Sequence, residues 1–396
     1  MIKQKAWVLV SVLLVAAVLL SGCGAKSNEE FVFGLVLVGP YNDHGWSEAH
    51  YRAAEAAVAE LENVKFIHLD KMNAADRAGT TLEQVVDDMV SEGATLIFTT
   101  SDDFAVDTDS VAAKYPDVQF VHVSGDHAKT GKAPSNVTNF MSRMEYTKAI
   151  AGCAAALKTE TGAIGYLGPV INDETRRLAA SAYQGARECY ELYRGGSAED
   201  LRFVVTWIGF WFNIPGVTLD PTEVANDLFN GGVDVLMSGI DTTEAIVVAG
   251  QRYDQGQKVW AVPYDYEDAC AVKPEVCLGV PYFNWKPFYI RTVEAVREDK
   301  DGLLEQGWEW ESPVWDSFND NEVSPVGFSY GPALSDEDTA NVQNYIERLA
   351  KGESKLFVGP LNLQDGTPYL ADGEQATDDQ IWYLPQLLEG MEGASN

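Results

Sequence analysis

The sequence predicts an α/β protein of two doubly wound parallel-sheet lobes facing each other across a hinged cleft. Three observations predict it. Phe31 to Gly39 is an unbroken β-branched and aromatic run, the pattern of a strand buried on both faces of a parallel sheet. Strand-like and helix-like segments then alternate at the spacing of βαβ units. Finally, Val85 to Ser101 aligns without gaps with Val224 to Ile240, each followed by an aspartate, Asp102 and Asp241. Two similar α/β units in tandem suggest two lobes. Asp43, Asp102, Asp241 and Asp265 each fall just after a strand, where ligands of open α/β sheets bind.

Taken in order, the first strand opens into Pro40-Tyr-Asn-Asp-His-Gly-Trp-Ser47, a loop that delivers Asp43 and Trp46 ahead of a helix over 47–61. A carboxylate and an indole there suit a flat solute with hydrogen-bond donors, because the ring stacks and the carboxylate accepts. A strand over 64–69, a helix over 81–91, a strand over 94–100, a helix over 107–114 and a strand over 118–123 follow. Residues 136–142 read as an extended joint. The second series has helices over 146–157, 176–192, 221–229 and 242–253 and strands over 163–167, 201–207, 233–237 and 259–262, with a further strand over 276–280. Lobe one is expected at 31–140 plus a returning helix near 286–323. Lobe two takes 141–285 plus 324–396.

The N-terminus is read apart from the fold. Lys3 and Lys5 precede an apolar run from Ala6 to Leu20, which is shorter than a membrane span and typical of an export signal. Leu20-Ser21-Gly22-Cys23 looks like a bacterial lipobox, which implies cleavage after residue 22, a diacylglycerol on Cys23 and a tether over 23–30. A formal charge of −32 argues against nucleic-acid binding, which needs clustered Lys and Arg. Cys153, Cys189, Cys270 and Cys277 would sit in an oxidising compartment. A local bridge between Cys270 and Cys277 and a pair of free thiols both remain open.

Signatures of catalysis are missing from the sequence. It has no phosphate loop, no H-E-x-x-H, no C-x-x-C and no G-x-S-x-G elbow, and its histidines lack metal spacing. No cofactor is expected. Aromatic residues cluster past strand ends, in Trp207-Ile-Gly-Phe-Trp-Phe-Asn213 and Phe283-Asn-Trp-Lys-Pro-Phe-Tyr289. With Trp46 and Phe104 at equivalent ends, they read as the walls of a cleft that takes a ring.

Val38-Gly-Pro-Tyr-Asn-Asp-His-Gly-Trp46, Phe98-Thr-Thr-Ser101, Pro116-Asp-Val-Gln-Phe120, Asn284-Trp-Lys-Pro-Phe-Tyr289 and the tail Phe357-Val-Gly-Pro-Leu361…Gln364-Asp-Gly366…Ala371-Asp-Gly373…Leu388-Glu-Gly390 resemble the basic membrane protein (BMP) family. These are lipid-anchored substrate-binding proteins of ABC importers that carry purine nucleosides or nucleobases. The resemblance implies a type I periplasmic-binding-protein fold, a purine ligand, a permease and ATPase as partners, membrane attachment through lipid on the extracytoplasmic face, and no enzyme chemistry. It implies that Trp46 stacks on the purine, with Phe104 or the Trp211–Phe212 pair opposite. Asp43, Asp241 and Asp265 would accept from ring or ribose donors, and Trp285 would close the cleft. The 207–220 loop is longer than usual, and Lys286 stands where related sequences have Gly, a cation beside the cleft. The rival functions are a lipid-anchored solute sensor and a nucleoside hydrolase.

Overall fold

The computed structural model describes residues 30–298 and 307–396. The leader, Cys23 and the tether through residue 29 lie outside the described residues. The first sheet contains β1 (Phe31–Leu37), β2 (Val64–Leu69), β3 (Ala94–Thr100), β4 (Gln119–Val123), β5 (Val137–Ser142) and β11 (Trp308–Glu311), all parallel, in the order β11-β5-β4-β3-β1-β2. The second contains β6 (Ala163–Gly168), β7 (Arg202–Trp207), β8 (Val235–Ser238), β9 (Trp260–Val262) and β13 (Met391–Glu392), also parallel, in the order β13-β7-β6-β8-β9. In each sheet the first strand lies between the second and the third. Both therefore have a switch point where loops diverge to opposite faces and leave a crevice. The echoed stretches of sequence end in β3 and β8, which hold equivalent places beside β1 and β6.

Local chemistry starts each of these helices within about three residues of where the pattern predicts it. α1 (Trp46–Glu60) begins at the loop after β1. The Thr81–Gln84 capping box opens α2 (Leu82–Ser91). α3 (Ala105–Ala112) follows a single 3-10 turn over Asp102–Phe104. α4 (Met144–Lys158) precedes β6, and α5 (Asp173–Arg194) is opened by an Asn172–Thr175 capping box. Asp220 caps α6 (Pro221–Asn230), which has Pro221 at its first position. α7 (Glu244–Asp254) leads into β9.

Three expectations are corrected. Residues 137–142 form β5, a fully buried strand inside the first sheet, where a joint was expected. The strand expected over 276–280 is β10 (Gly279–Phe283), antiparallel to β12 (Val326–Tyr330). Single bridges, Ala261–Cys277 and Asp265–Tyr282, connect this segment to the end of the second sheet. The returning helix, α8 (Lys286–Arg297), is shorter than expected, and Trp308–Glu311 beyond it is the edge strand β11. The aromatic rings of α8 pack on the first sheet: Phe288 stacks on Phe140 at 3.5 Å and Tyr289 on Phe98 at 4.1 Å. The chain thus passes between the two sheets at 142–144, at 283–286 and over 311–326.

α4 and α5 run together at a spacing that only glycine permits. A Cβ on Gly152 would stand 1.9 Å from the Ala182 carbonyl oxygen, and one on Gly185 would stand 2.0 Å from that of Ala149. Cys153 and Cys189 are bridged across this contact, and Cys270 is bridged to Cys277. Among the described residues no helix is long and apolar enough to cross a membrane. The helix contact generates a test. Gly152→Val should lower the thermal unfolding temperature under non-reducing conditions, since overpacking typically costs about 1–3 kcal/mol. An unfolding temperature equal to the parent's would mean the helices do not approach this closely.

Candidate functional site

Loops from the carboxyl ends of both sheets line a cavity of about 430 Å³, counting the space open to solvent. The first unit contributes Trp46, Ser101, Asp102 and Ser124. The second contributes Tyr166, Glu174, Thr175, Leu178, Trp211, Gly239, Asp241, Tyr264 and Asp265. The two sides touch. A Cβ on Gly45 would stand 1.8 Å from the Asp241 carbonyl oxygen, His44 stacks near Tyr266 with centroids 6.3 Å apart, and Asn172 Nδ2 donates to Asp102 across the gap at 3.4 Å. The cleft is closed.

Of the residues singled out in the sequence, Trp46, Asp102, Trp211, Asp241 and Asp265 line the cavity. Trp46 Nε1 donates to the Thr100 carbonyl at 2.8 Å, and its ring meets Phe283 and Trp285 edge-on at 5.4 Å each. Trp211 accepts the Asp241 backbone N–H through its own carbonyl at 3.0 Å, which ties the two loops together. Asp265 is completely buried at a left-handed φ of 70°, and neither of its carboxylate oxygens has a hydrogen-bond partner.

The other candidates lie elsewhere. Asp43 turns back on its own loop and accepts the N–H groups of Gly45, Ser47 and Glu48, which caps α1. Phe104, the last residue of the 3-10 turn, is buried, and Phe212 is buried against Phe210 at 5.1 Å. Trp285 lies behind Trp46, stacked on His50 at 4.3 Å and on Phe283 at 4.6 Å. It lines a neighbouring cavity of about 530 Å³. Lys286 belongs to that same neighbouring cavity and is held by Glu60 at 2.5 Å and Glu322 at 2.6 Å. No lysine or arginine is among the described residues that line the cleft.

Sequence reasoning missed Tyr166, Tyr264, Ser124 and Glu174. Ser124 and Tyr264 follow β4 and β9, so the rule that found the aspartates also reaches them. Glu174 enters from the first turn of α5 and leaves no signal in spacing. Its Oε2 accepts from Ser124 Oγ at 2.9 Å, across the two units. Lys148 was missed as well. It is fully buried, donates to the Ser238 carbonyl at 2.7 Å, and stands over the Tyr264 ring at 3.0 Å.

Burial governs the electrostatics. It pushes Glu174 up to about 7, against the pull of Arg177 and with a further push from Asp102. It raises Asp43 to about 6, opposed by the three N–H donors. Burial also raises Asp241, and Asp265, Asp43 and Glu174 add to the rise. Asp265 is raised by burial and held back first by Lys148. Tyr264 beside it opposes the rise only weakly, being outside hydrogen-bond geometry. Lys148 is pushed well down by burial and drawn back by Asp265. Among the described residues no group of three or more His, Cys, Asp and Glu is arranged to hold a metal ion. The arrangement offers acceptors and ring faces to a small solute.

Two parallel α/β units closing on such a cleft define a solute-binding protein of the periplasmic-binding-protein fold. The chain belongs to the Bmp family, described as ABC transporter substrate-binding protein PnrA-like, which matches residues 31–300. It is similar to a purine-binding protein of Brucella abortus, at 29% identity over 380 residues, covering 96% of this chain and 97% of the relative. A Haloferax volcanii protein, provisionally named an ABC transporter glucose-binding protein, is 24% identical over 372 residues, or 94% of this chain and 83% of its own. Among solved structures, an ABC transporter solute-binding protein of Aeropyrum pernix shares the fold, with a TM-score of 0.63 at 14% identity over 91% of this chain and 100% of its own. Membership places the protein outside the cytoplasm, where it binds a small molecule and serves an ABC permease and ATPase.

The raised carboxyls make stability depend on pH with a definite sign. Glu174 binds its proton more tightly folded than unfolded. Its contribution is therefore neutral below the ordinary value of 4.5, becomes a penalty as pH rises towards about 7, and stays a full penalty above that. Asp43 acts with the same sign between 3.8 and about 6. Glu174→Gln should therefore raise the melting temperature of the ligand-free protein at pH 8 and change it little at pH 4.5, with a difference on the order of 1–3 kcal/mol. Melting curves at both pH values check this, and an equal effect at each would refute it.

Proposed function

We propose that the protein captures a purine nucleoside or nucleobase in this cleft and delivers it to its permease and ATPase. The observation that carries the reading is Asp265, whose two buried oxygens lack partners beside the rings of Tyr166, Trp211 and Tyr264. A buried carboxylate without donors is costly unless a solute supplies them. A ribose or a base edge provides such donors, and the aromatic faces take the plane of the base. The purine-binding protein of Brucella abortus supports the reading over nearly the whole chain. The working lobes are 31–140 with 286–323 and 141–285 with 324–396, except that β5 carries the first boundary on to residue 142, and closure between them is the functional step. No reaction is required of the site.

Native mass spectrometry of the purified protein, followed by calorimetric titration with purines and with hexoses, tests the cargo. Purine binding is expected, and Asp265→Ala should weaken it by roughly ten- to a hundredfold, the scale of hydrogen bonds to a charged group. A hexose bound in place of any purine overturns the reading in favour of the sugar suggested by the Haloferax relative.

Membrane attachment is proposed through a diacylglycerol on Cys23. Cys23→Ser should release the protein from the membrane fraction or leave the precursor uncut. A processed chain that stays on the membrane after this substitution would show that Cys23 is not the anchor.

A further inference from the structure

Asp241 and Asp265 do not exhaust the acceptors of the cleft. Glu174 reaches it from α5 with 9% of the residue exposed. Oε2 accepts from the Ser124 hydroxyl of the opposite unit at 2.9 Å, the one hydrogen bond the protein gives this carboxylate among the described residues, and the residue lines the cavity. The cation on the next turn of the same helix is engaged elsewhere. Arg177 Nε donates to Glu145 at 2.6 Å, and its guanidinium stacks on Trp382 at 4.1 Å. Glu174 is thus a carboxylate of set orientation, free to accept from a solute and not neutralised by a paired cation.

Such a group distinguishes the edges of purines. An ionised carboxylate only accepts, and it matches two parallel donors. Guanine presents such a pair in N1–H and its 2-amino group. Adenine presents one amino donor beside a ring nitrogen whose lone pair would face a carboxylate oxygen. An amide in the same place, with one donor and one acceptor, matches adenine instead. Resting on the purine reading, we propose that Glu174 is the specificity-determining residue of the cleft, selecting guanine-edged solutes over adenine-edged ones, and that Ser124 is its positioning residue.

Titration calorimetry of the full-length protein at pH 8 with guanosine and adenosine tests this, using the parent, Glu174→Gln and Ser124→Ala. The parent should prefer guanosine by roughly five- to a hundredfold, the discrimination of one bidentate pair. Glu174→Gln should bind guanosine less tightly and adenosine more tightly, reversing the order. Ser124→Ala keeps the carboxylate but frees it, and should narrow the preference without reversing it. Melting temperatures on the same samples confirm that each variant is folded. Equal affinities in the parent, a preference for adenosine, or a guanosine preference that survives Glu174→Gln would overturn the assignment while leaving purine capture intact. No binding of either nucleoside by the parent, with hexose bound instead, would overturn both.

Discussion

Gathering Asp241, Asp265 and Glu174 in one buried cleft is the constraint on which the rest of the molecule depends. Each carboxyl is pushed up by burial, and Lys148, the buried cation that offsets Asp265, is itself pushed down. The folded chain tolerates this because two large sheets and the α4–α5 pair hold it in place. Their cores bury long runs of Val, Ile, Leu, Phe and Ala, at roughly 25 cal/mol per Å² of apolar surface. Unsatisfied acceptors then become binding capacity. On the proposed reading, the solute supplies the donors that the protein withholds, so ligand binding and closure are the same event seen from two sides.

Topology decides where those acceptors can gather. Each sheet has a strand order that opens a crevice at the carboxyl ends of its first and third strands. Facing the two crevices places Ser101 and Ser124 opposite Asp241 and Asp265 with little help from local sequence. The passages at 142–144, 283–286 and 311–326 keep the units in register. The C-terminal segment adds a clasp: Arg143 pairs with Asp378 at 2.5 Å, Lys129 pairs with Asp379, and Trp382 packs edge-on against Trp308 and Trp310 of β11. These contacts lie at the edge of the first sheet, away from the cavity. They are free to steady the pair of units while the cleft side changes.

Much of this was legible because the signals are local. The β1 run, the Thr81 helix start and the aspartates after β3, β8 and β9 follow from periodicity and strand-end position. The failures have physical causes of their own. Residues 137–142 look too polar for a buried strand, yet Asn139 satisfies itself there: its Nδ2 donates to the Ser124 carbonyl at 3.0 Å, and its Oδ1 accepts from Ala128 N–H at 2.8 Å. Asp43 has the same strand-end position as Asp241, but helix N–H groups two to five residues away capture it first. Lys286 is claimed by Glu60 and Glu322, partners far away in sequence. Glu174 reaches the cleft only through the placement of the first turn of α5, which brings its side chain to Ser124 of the other unit. Local competition and long-range pairing are what a single sequence hides.

Trp46 shows why core and site need not be alternatives. Its indole N–H is spent on the Thr100 carbonyl, and Phe283 and Trp285 hold its ring edge-on, so by these contacts it is a core residue. The same contacts fix the orientation of the part that lines the cavity. A wall already ordered before the ligand arrives loses no side-chain freedom on binding, a saving of about 0.5–1.5 kcal/mol per immobilised side chain. Trp285 contributes through that ring, since it backs Trp46 without lining the cavity. On the proposed reading, the aromatic cluster behind the cleft is part of the recognition apparatus, because it holds in place the Trp46 ring that lines the cavity.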